Sequence, residues 1–158
     1  MRPVHGYEIT TDRDRIDVAA VHAFLTRSYW SPGIPRDVVE RAIANSLCFS
    51  LLAADGAQAG FARAVTDRAT YAYLADVYVA EEHRGKGLGV WLVQHVVEHP
   101  DLQGLRRFAL ATADAHGLYT RFGWKPAESP EIHLFIERDP AELWPPGRDT
   151  GAPGPGSP

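Results

Sequence analysis

The feature that most constrains this chain is the stretch LADVYVAEEHRGKGLGVWLVQHVVEH, residues 74–99. An apolar, aromatic-rich segment typical of a β-strand passes through three closely spaced glycines into a segment with apolar residues at helical spacing. The first N–H groups of a helix have no partner within the helix, and glycines leave them uncovered. An anion satisfies these groups, and Arg84 and Lys86 add positive charge. The junction is therefore predicted to bind a phosphate or pyrophosphate group.

The pattern around this junction alternates between strand and helix. In chain order it predicts a strand at 7–10, a helix capped by Thr11 or Asp14 and ending near Ser28, a helix at 36–45, strands at 47–54, 58–65 and 70–79, the junction helix from Leu88 to Pro100, a strand at 106–112, a short helix in DAHGLYTRF and a last strand in EIHLFIE, 131–137. Residues 144–158 are too rich in Pro and Gly to bury an apolar core. We therefore expect one domain over residues 1–143 and a disordered tail.

Composition narrows the classes of partner. With 158 residues, 45% of them hydrophobic and a net charge of -4, the chain has ordinary single-domain composition. Lys and Arg are scattered, which argues against a nucleic-acid partner. No apolar run reaches the roughly 20 residues that span a bilayer, and MRPVHGYEIT has no apolar signal region, so we expect a cytoplasmic protein with no membrane partner. The single cysteine, Cys48, lies in an apolar strand and is expected to be inert core packing.

Two common phosphate-binding signatures do not fit the junction. The GxxxxGK[ST] loop is absent, because Gly87 is followed by Leu88 rather than by Lys. The dinucleotide fingerprint GxGxxG needs a small residue at position 90, where this chain has Val90. The pyrophosphate must therefore belong to another kind of ligand.

A third signature, R-x-x-G-x-G, fits at Arg84, Gly87 and Gly89. Downstream, TADAHGLYTRFGW matches a second motif, N-x-x-A-x-x-L-Y-x-x-x-G-[FW], except that Thr112 stands at the Asn position. The matching residues are Ala115, Leu118, Tyr119, Gly123 and Trp124. In both motifs and in the order of its predicted elements, the chain resembles the GNAT superfamily of N-acetyltransferases over residues 7–137.

The resemblance implies an α/β fold with a mixed, mostly antiparallel central sheet of about six to seven strands, flanked by about four helices. Two neighbouring parallel strands splay apart in this fold, and acetyl-CoA binds where they separate. Here these would be the strands that contain Val77–Val79 and Phe108–Ala111. Acetyl-CoA is then the cosubstrate, and no metal is expected.

The resemblance also implies a set of residues that bind the cosubstrate. The backbone of Val77, Tyr78 and Val79 would hold the pantetheine arm and the acetyl carbonyl, and the pyrophosphate would lie on Arg84, Gly85, Lys86, Gly87, Leu88 and Gly89. Thr112 would replace the usual Asn contact to the pantetheine. Tyr119 would be the general acid that protonates the leaving thiolate.

The proton acceptor for the amine is left open by the sequence. Asp76 is an acid within an apolar strand, which suggests a function, although strict alternation would place it on the face opposite Val77. A local bulge could redirect it. His116, Glu81, Glu82 and a chain of water molecules are the alternatives.

The acceptor pocket is expected between the first two helices. The segment SYWSPGIPRD offers Tyr29, Trp30 and Arg36, and an aromatic pair can frame an amine by cation-π contact. Trp30 could equally cap the helix end as part of the core.

The resemblance implies transfer of acetyl from acetyl-CoA to a primary amine, by direct attack in a ternary complex. The acceptor would be a small molecule or a peptide amine. Dimers are common among enzymes of this family, so the resemblance is also compatible with a homodimer. Two alternatives remain. One is a CoA-binding sensor without catalysis, and the other is a zinc metallopeptidase in which His95, Glu98 and His99 form the H-x-x-E-H arrangement.

Overall fold

Five β-strands form one sheet in the spatial order β1-β2-β3-β4-β5. The coordinates are those of a computed structural model, which describes residue 4 and residues 6–147. The strands are β1 (Glu8–Thr10), β2 (Leu47–Leu52), β3 (Gln58–Thr66), β4 (Tyr71–Val79) and β5 (Arg107–Leu110). The helices are α1 (Val18–Leu25), α2 (Arg36–Ala44), α3 (Leu88–Glu98), α4 (His116–Thr120) and α5 (Pro140–Leu143). Short 3-10 turns lie at Arg13–Arg15, Glu81–His83, Pro100–Leu102 and Pro130–Ile132.

The first four strands form an antiparallel meander, and only β4 and β5 run parallel. The β2–β3 hairpin turns at Asp55 and Gly56, and Gly56 has the positive φ, +86°, that such a turn requires. Asp67 closes the β3–β4 turn, because its Oδ1 accepts hydrogen bonds from the N–H groups of Ala69, Thr70 and Tyr71. Local turn chemistry therefore fixes both hairpins.

Helices cover both faces of the sheet. On one face, Leu92 and Val96 of α3 pack in a buried cluster with Phe49 and Leu74. On the other face, the buried residues of α1 and α2 pack against Phe61 and Tyr78; they are Val21, Leu25, Val39 and Ile43. Every residue of β2 is buried, as expected for a strand covered on both faces.

The predicted class of fold is right, but the predicted counts are not. The sheet has five strands rather than six or seven, and five helices occur in the described part of the chain rather than four. The predicted last strand, 131–137, forms no strand: Pro130–Ile132 is a 3-10 turn and residues 133–137 have no regular structure. A strand needs a neighbour to bond to, and the apolar alternation of EIHLFIE could not show whether one exists.

The first helix begins later than predicted. Asp17 rather than Thr11 or Asp14 is its N-cap, with Oδ1 accepting from the N–H of Ala20, 3.1 Å away. Asp12 caps the separate 3-10 turn before it.

The predicted tail lies largely outside the described residues, which end at 147. Its first residue, Trp144, packs against the cluster of α1 and α2. Across the described chain, every helix falls short of the length and apolar character needed to cross a membrane.

Candidate active site

A cleft of about 1430 Å³ opens where β4 and β5 part. Their parallel pairing runs from Tyr71 opposite Arg107 to Leu74 opposite Leu110 and then stops, while β4 continues to Val79. Residues from both strands line the cleft, together with the end of α1 and the chain that leads into α4. The expected separation of two parallel strands is therefore present, at the strands that the sequence indicated.

A β-bulge interrupts β4 beside the cleft. Phe61 pairs with Tyr78 and Arg63 with Ala75, so Ala62 alone faces two residues, Asp76 and Val77. Asp76 has φ of +57°, a left-handed conformation that Asp adopts more readily than most residues. The extra residue interrupts the alternation of β4, so that Asp76 contacts Trp30 on the face covered by α1 and α2. Val77 packs on the α3 face with Leu74, and the two residues therefore still lie on opposite faces of the sheet.

The bulge places the Asp76 carboxylate between two donors. Trp30 Nε1 donates to Oδ1 at 3.0 Å, and Arg63 Nε donates to Oδ2 at 2.8 Å. Arg63 also donates from Nη1 to Ser46 Oγ at 3.1 Å. The Asp76 side chain is only 9% exposed, yet the residue lines the cleft. Each carboxylate oxygen keeps one further lone pair for a ligand.

Aromatic side chains of α1 and of the segment that follows it form one wall of the cleft. Tyr29 is exposed and meets Trp30 edge to face at 5.0 Å between ring centroids. Phe24 stacks on Tyr78 at 3.7 Å. Tyr29 and Trp30 thus line the cleft, whereas Arg36 lies outside its lining and forms an ion pair with Glu40 along α2. Trp30 packs against the core and also lines the cleft, so it occupies both of the positions that were expected for it, the core and the pocket.

Tyr119, in α4, also lines the cleft. Its ring packs edge to face on Trp124 at 5.7 Å, and Trp124 Nε1 donates to the carbonyl of Phe108 in β5 at 2.8 Å. Burial, with smaller contributions from Tyr29 and Asp114, raises the pKa of Tyr119 to about 12. The phenol therefore keeps its proton at neutral pH.

The glycine turn adjoins the end of the cleft at Arg84. Gly85 and Gly87 have φ of +80° and +77°, and a Cβ added to either would meet no atom within 4 Å. The helix α3 begins directly afterwards at Leu88, and no side chain caps its first N–H groups. Arg84 lines the cleft and donates from Nε to the carbonyl of Val79 at 2.8 Å. Residues 85–89 lie outside the cleft lining, with the side chain of Leu88 buried in the core.

Two of the predicted binding residues form hydrogen bonds within the protein. Lys86 Nζ donates to the hydroxyl of Tyr7 at 3.1 Å, and the same hydroxyl is hydrogen-bonded to His83 Nδ1 at 2.7 Å. Thr112 lines the cleft, but its Oγ1 accepts from the N–H of Ala115 at 3.0 Å, just before α4. Thr112 thus orders the turn that precedes Tyr119.

The alternative proton acceptors are placed unequally. Glu81 and Glu82 line the cleft near Arg84, and His116 lies outside its lining. Val77, Tyr78 and Val79, whose backbone groups are predicted to bind the pantetheine arm, also line the cleft. Burial raises the pKa of the Tyr78 phenol.

The residues of the H-x-x-E-H arrangement make local contacts instead. His95 Nδ1 lies 3.3 Å from the carbonyl of Trp91, and His99 Nδ1 accepts from the N–H of Asp101. Glu98 accepts from Gln94 one turn earlier in α3. Within residues 6–147, no three His, Cys, Asp or Glu side chains are grouped so that they could hold a metal ion.

Sequence reasoning missed Arg63 and Phe24. Arg63 is a charged residue in the otherwise apolar run GFARAV, which is the same signal that drew attention to Asp76. The two charges lie on adjacent strands and neutralise each other, with the Arg63 side chain 18% exposed. Phe24 carries no such signal, because its spacing is that of any core residue of α1.

The sheet, the parted strands and the glycine turn define an acetyltransferase type of fold. A model of the Acetyltransferase (GNAT) family matches residues 16–124, and the chain belongs to that family. It is 33% identical over 135 residues to FG08082, a candidate acetyltransferase of Gibberella zeae, covering 72% of this chain and 75% of that protein.

Solved structures agree with this assignment. A candidate GNAT acetyltransferase from Xanthomonas campestris pv. campestris has 45% identity and a TM-score of 0.82, over 87% of this chain and 96% of that one. A candidate acetyltransferase from Deinococcus radiodurans R1 shares the fold, with 23% identity and a TM-score of 0.68 over 87% of this chain and 92% of that one.

Proposed function

We propose that the protein is an N-acetyltransferase that transfers acetyl from acetyl-CoA to a primary amine of a small molecule or peptide, by direct attack in a ternary complex. The observation that carries the proposal is the parting of β4 from β5 beyond Leu74 and Leu110. Beyond that point β4 has no strand beside it on this side, in the part of the chain that the structure describes. Backbone groups there are available to a linear ligand that carries amides.

The glycine turn supports a diphosphate-bearing carrier. Gly85 and Gly87 leave open space over the first turn of α3, and Arg84 connects this turn to the end of β4 through the Val79 carbonyl. A long thioester bound by the turn at one end can therefore extend along β4 toward the bulge. Lys86, held by Tyr7, would contribute charge at the rim rather than a direct contact.

Tyr119 supports the chemical step. When the amine nitrogen bonds to the acetyl carbon, the carbon–sulfur bond breaks and the sulfur needs a proton. The phenol of Tyr119 lines the cleft and keeps its proton at neutral pH, because burial raises its pKa to about 12. The phenolate that forms is then reprotonated from solvent or from the amine.

Asp76 supports a cationic acceptor. Its carboxylate, held by Trp30 and Arg63, lies in the same cleft as the exposed ring of Tyr29. Arg63 offsets the charge of the carboxylate, but the free lone pairs of Asp76, together with the aromatic faces beside them, can hold an ammonium group and accept its proton. Asp76 thus serves as the anchor of the amine and as the proposed base.

A free-thiol release assay with acetyl-CoA tests the proposal. The amine panel should contain polyamines, amino acids, aminoglycosides and peptides with a free N-terminus or lysine. We expect thiol release with at least one cationic amine, and calorimetry should show binding of acetyl-CoA. Binding without thiol release for every acceptor would instead favour a non-catalytic CoA sensor, and the absence of binding would overturn both functions.

A further inference from the structure

A second cavity, of about 280 Å³, lies where β1 and β3 end and β2 begins. Its lining comes from the chain just after β1, the first residues of β2, the β3–β4 turn and the chain after α3. Among the described residues, none lines both this cavity and the cleft between β4 and β5. The cavity is therefore a separate site from the one proposed for acetyl transfer.

Two arginines and a histidine supply hydrogen-bond donors to this cavity. Arg13 forms no ion pair in the described part of the chain, and one of its five N–H groups, on Nη2, donates to the Ser46 carbonyl at 3.2 Å. Arg68 forms an ion pair with Asp101 through Nη1. His99 Nδ1 accepts from the N–H of Asp101 at 3.1 Å, which leaves the proton of the neutral imidazole on Nε2. Both guanidinium groups and the imidazole thus keep donors for a ligand.

The lining of the cavity carries a net positive charge. Arg13 and Arg68 outweigh the one carboxylate of the lining, Asp101, when His99 is neutral. The neighbouring acid Asp67 lies outside the lining, and its carboxylate is engaged by N–H groups of the β3–β4 turn. Arg68 also has a left-handed backbone, with φ of +62°, and residues held in such a conformation are common where a protein binds a ligand. An anion is the ligand that this cavity favours.

We propose that this cavity is an effector site for a phosphate group, bound between Arg13 and Arg68 and coupled to Asp76 in the cleft. The planar guanidinium group offers paired donors that match the oxygens of a phosphate, and charge-assisted bonds of this kind are the stronger ones in proteins. The cavity is smaller than most drug-sized pockets, so it suits inorganic phosphate or the monoester of a small molecule. This inference does not depend on the proposed acetyl transfer.

Ser46 connects the cavity to the carboxylate in the cleft. Its carbonyl accepts from Arg13, and its hydroxyl accepts from Arg63 Nη1 at 3.1 Å. Arg63 in turn donates to one oxygen of Asp76, while Trp30 donates to the other. Ser46 itself is buried, so its two contacts are made by one fixed residue. An anion that draws Arg13 away from the Ser46 carbonyl should therefore alter the contacts that hold Asp76.

An NMR titration of the full chain with inorganic phosphate, at constant ionic strength, tests the site. We expect saturable shifts at the backbone amides of Arg13, Ser46 and Arg68. The same titration with methyl phosphate shows whether the free ion or a monoester binds more tightly, and either order supports a phosphate site. Shifts that do not saturate, or that chloride reproduces, would overturn the proposal, because they would reflect general ionic attraction.

Matched charge changes locate the bound phosphate. Arg13→Gln and Arg68→Gln should each weaken binding by about tenfold, as expected for the loss of a charge-assisted hydrogen bond. Arg15→Gln is the control, because it removes the same charge from an ion pair with Glu8 outside the lining and should leave the affinity unchanged. All these arginines are exposed, so the variants should fold, which circular dichroism checks. Binding that is lost only in Arg84→Gln would place the phosphate at the glycine turn and overturn the proposal.

The indole N–H signal of Trp30 tests the coupling, because this group donates to Asp76. We expect phosphate to shift this signal, which Trp30→Phe assigns. Ser46→Ala keeps the carbonyl that Arg13 contacts but removes the hydroxyl that Arg63 contacts, so it should retain phosphate binding and lose the shift. Saturated binding with an unmoved Trp30 signal in the unmodified chain overturns the coupling. A shift that persists in Arg13→Gln overturns it as well, since the phosphate would then act within the cleft.

Discussion

Trp30 Nε1 donates a hydrogen bond of 3.0 Å to Asp76 Oδ1, which ties the chain after α1 to the bulge of β4. The two residues are 46 positions apart in sequence. The bond joins an aromatic residue of the predicted acceptor pocket to the carboxylate proposed as anchor and base. Pocket shape and carboxylate position are therefore coupled.

Replacement of Asp76 should affect the amine and leave acetyl-CoA binding unchanged. Asp76→Asn keeps the shape and tolerates a positive φ but removes the charge. We expect kcat/KM for the amine to fall by about 10²-fold or more, because both the attraction and the proton acceptor are lost. Trp30→Phe, which removes the hydrogen bond and part of the ring but keeps the carboxylate, should cost less. Unchanged kinetics of Asp76→Asn would show that the proton leaves by another route, with Glu81 and Glu82 as the next residues to replace.

Tyr119→Phe tests the general acid. Loss of the hydroxyl should lower kcat by about 10²-fold or more while calorimetry finds the same affinity for acetyl-CoA. With its pKa raised to about 12, Tyr119 should cause no decline in kcat as pH rises from 7 to 10. A variant with full turnover would remove Tyr119 from the mechanism.

Gly87→Ala tests the turn that is proposed to hold the diphosphate. A residue with a Cβ at φ of +77° is strained by about 1–2 kcal/mol, so the turn should shift and acetyl-CoA affinity should fall. Gly104→Ala is the matched control, because Gly104 also has a positive φ, +69°, and open space for a Cβ. Both variants should lose similar free energy of unfolding, but only Gly87→Ala should bind more weakly. Equal affinities would place the diphosphate elsewhere.

Gly60→Ala tests the packing behind the bulge. Its Cβ would lie 2.7 Å from the Tyr78 carbonyl oxygen and 2.9 Å from Leu51 Cδ2, so backbone must move. We expect a loss of about 1–3 kcal/mol in the free energy of unfolding, measured with urea. Gly117→Ala in α4, where a Cβ meets nothing within 4 Å, should instead be neutral or add up to about 1 kcal/mol.

Cys48 should make stability decline at alkaline pH. Burial raises the pKa of its thiol from 9.0 to about 11, so the folded state holds a proton that the unfolded state releases. This contribution is complete below pH 9 and is lost as pH rises toward 11. The difference in free energy of unfolding between the unmodified chain and Cys48→Ala should shrink by about 2 kcal/mol over that window. A constant difference would mean that the thiol titrates alike in both states.

The parts of the fold that local chemistry determines could be predicted from the sequence. The strands β2, β3 and β4 follow from their apolar composition, and Asp55-Gly56 fixes the first hairpin. The start of α1 could not be predicted in the same way, because TDRDRID offers several capping residues. Gln58 Oε1 accepts a hydrogen bond from the N–H of Asp17, and this contact over 41 positions favours the last of them.

The candidate site was predictable in composition but not in arrangement. The glycine turn and Tyr119 follow from motifs, and Asp76 from an acid in an apolar strand. The contacts of Asp76 with Trp30 and Arg63 depend on the β-bulge, and the register of a bulge is set by two paired strands rather than by the sequence of one. The state of residues 131–137 likewise depends on what lies beside them, which alternation within a single segment does not encode.

The left-handed backbone at Asp76 limits how the proposed acceptor site could be altered. Engineers who wish to accommodate uncharged acceptors would naturally randomise that position, yet only Asn, Gly and a few other residues adopt φ near +57° without strain. A Glu there would carry the same charge, but it would disturb the bulge it depends on. Diversity is better introduced at Tyr29, which lies in the chain after α1 and has ordinary backbone geometry.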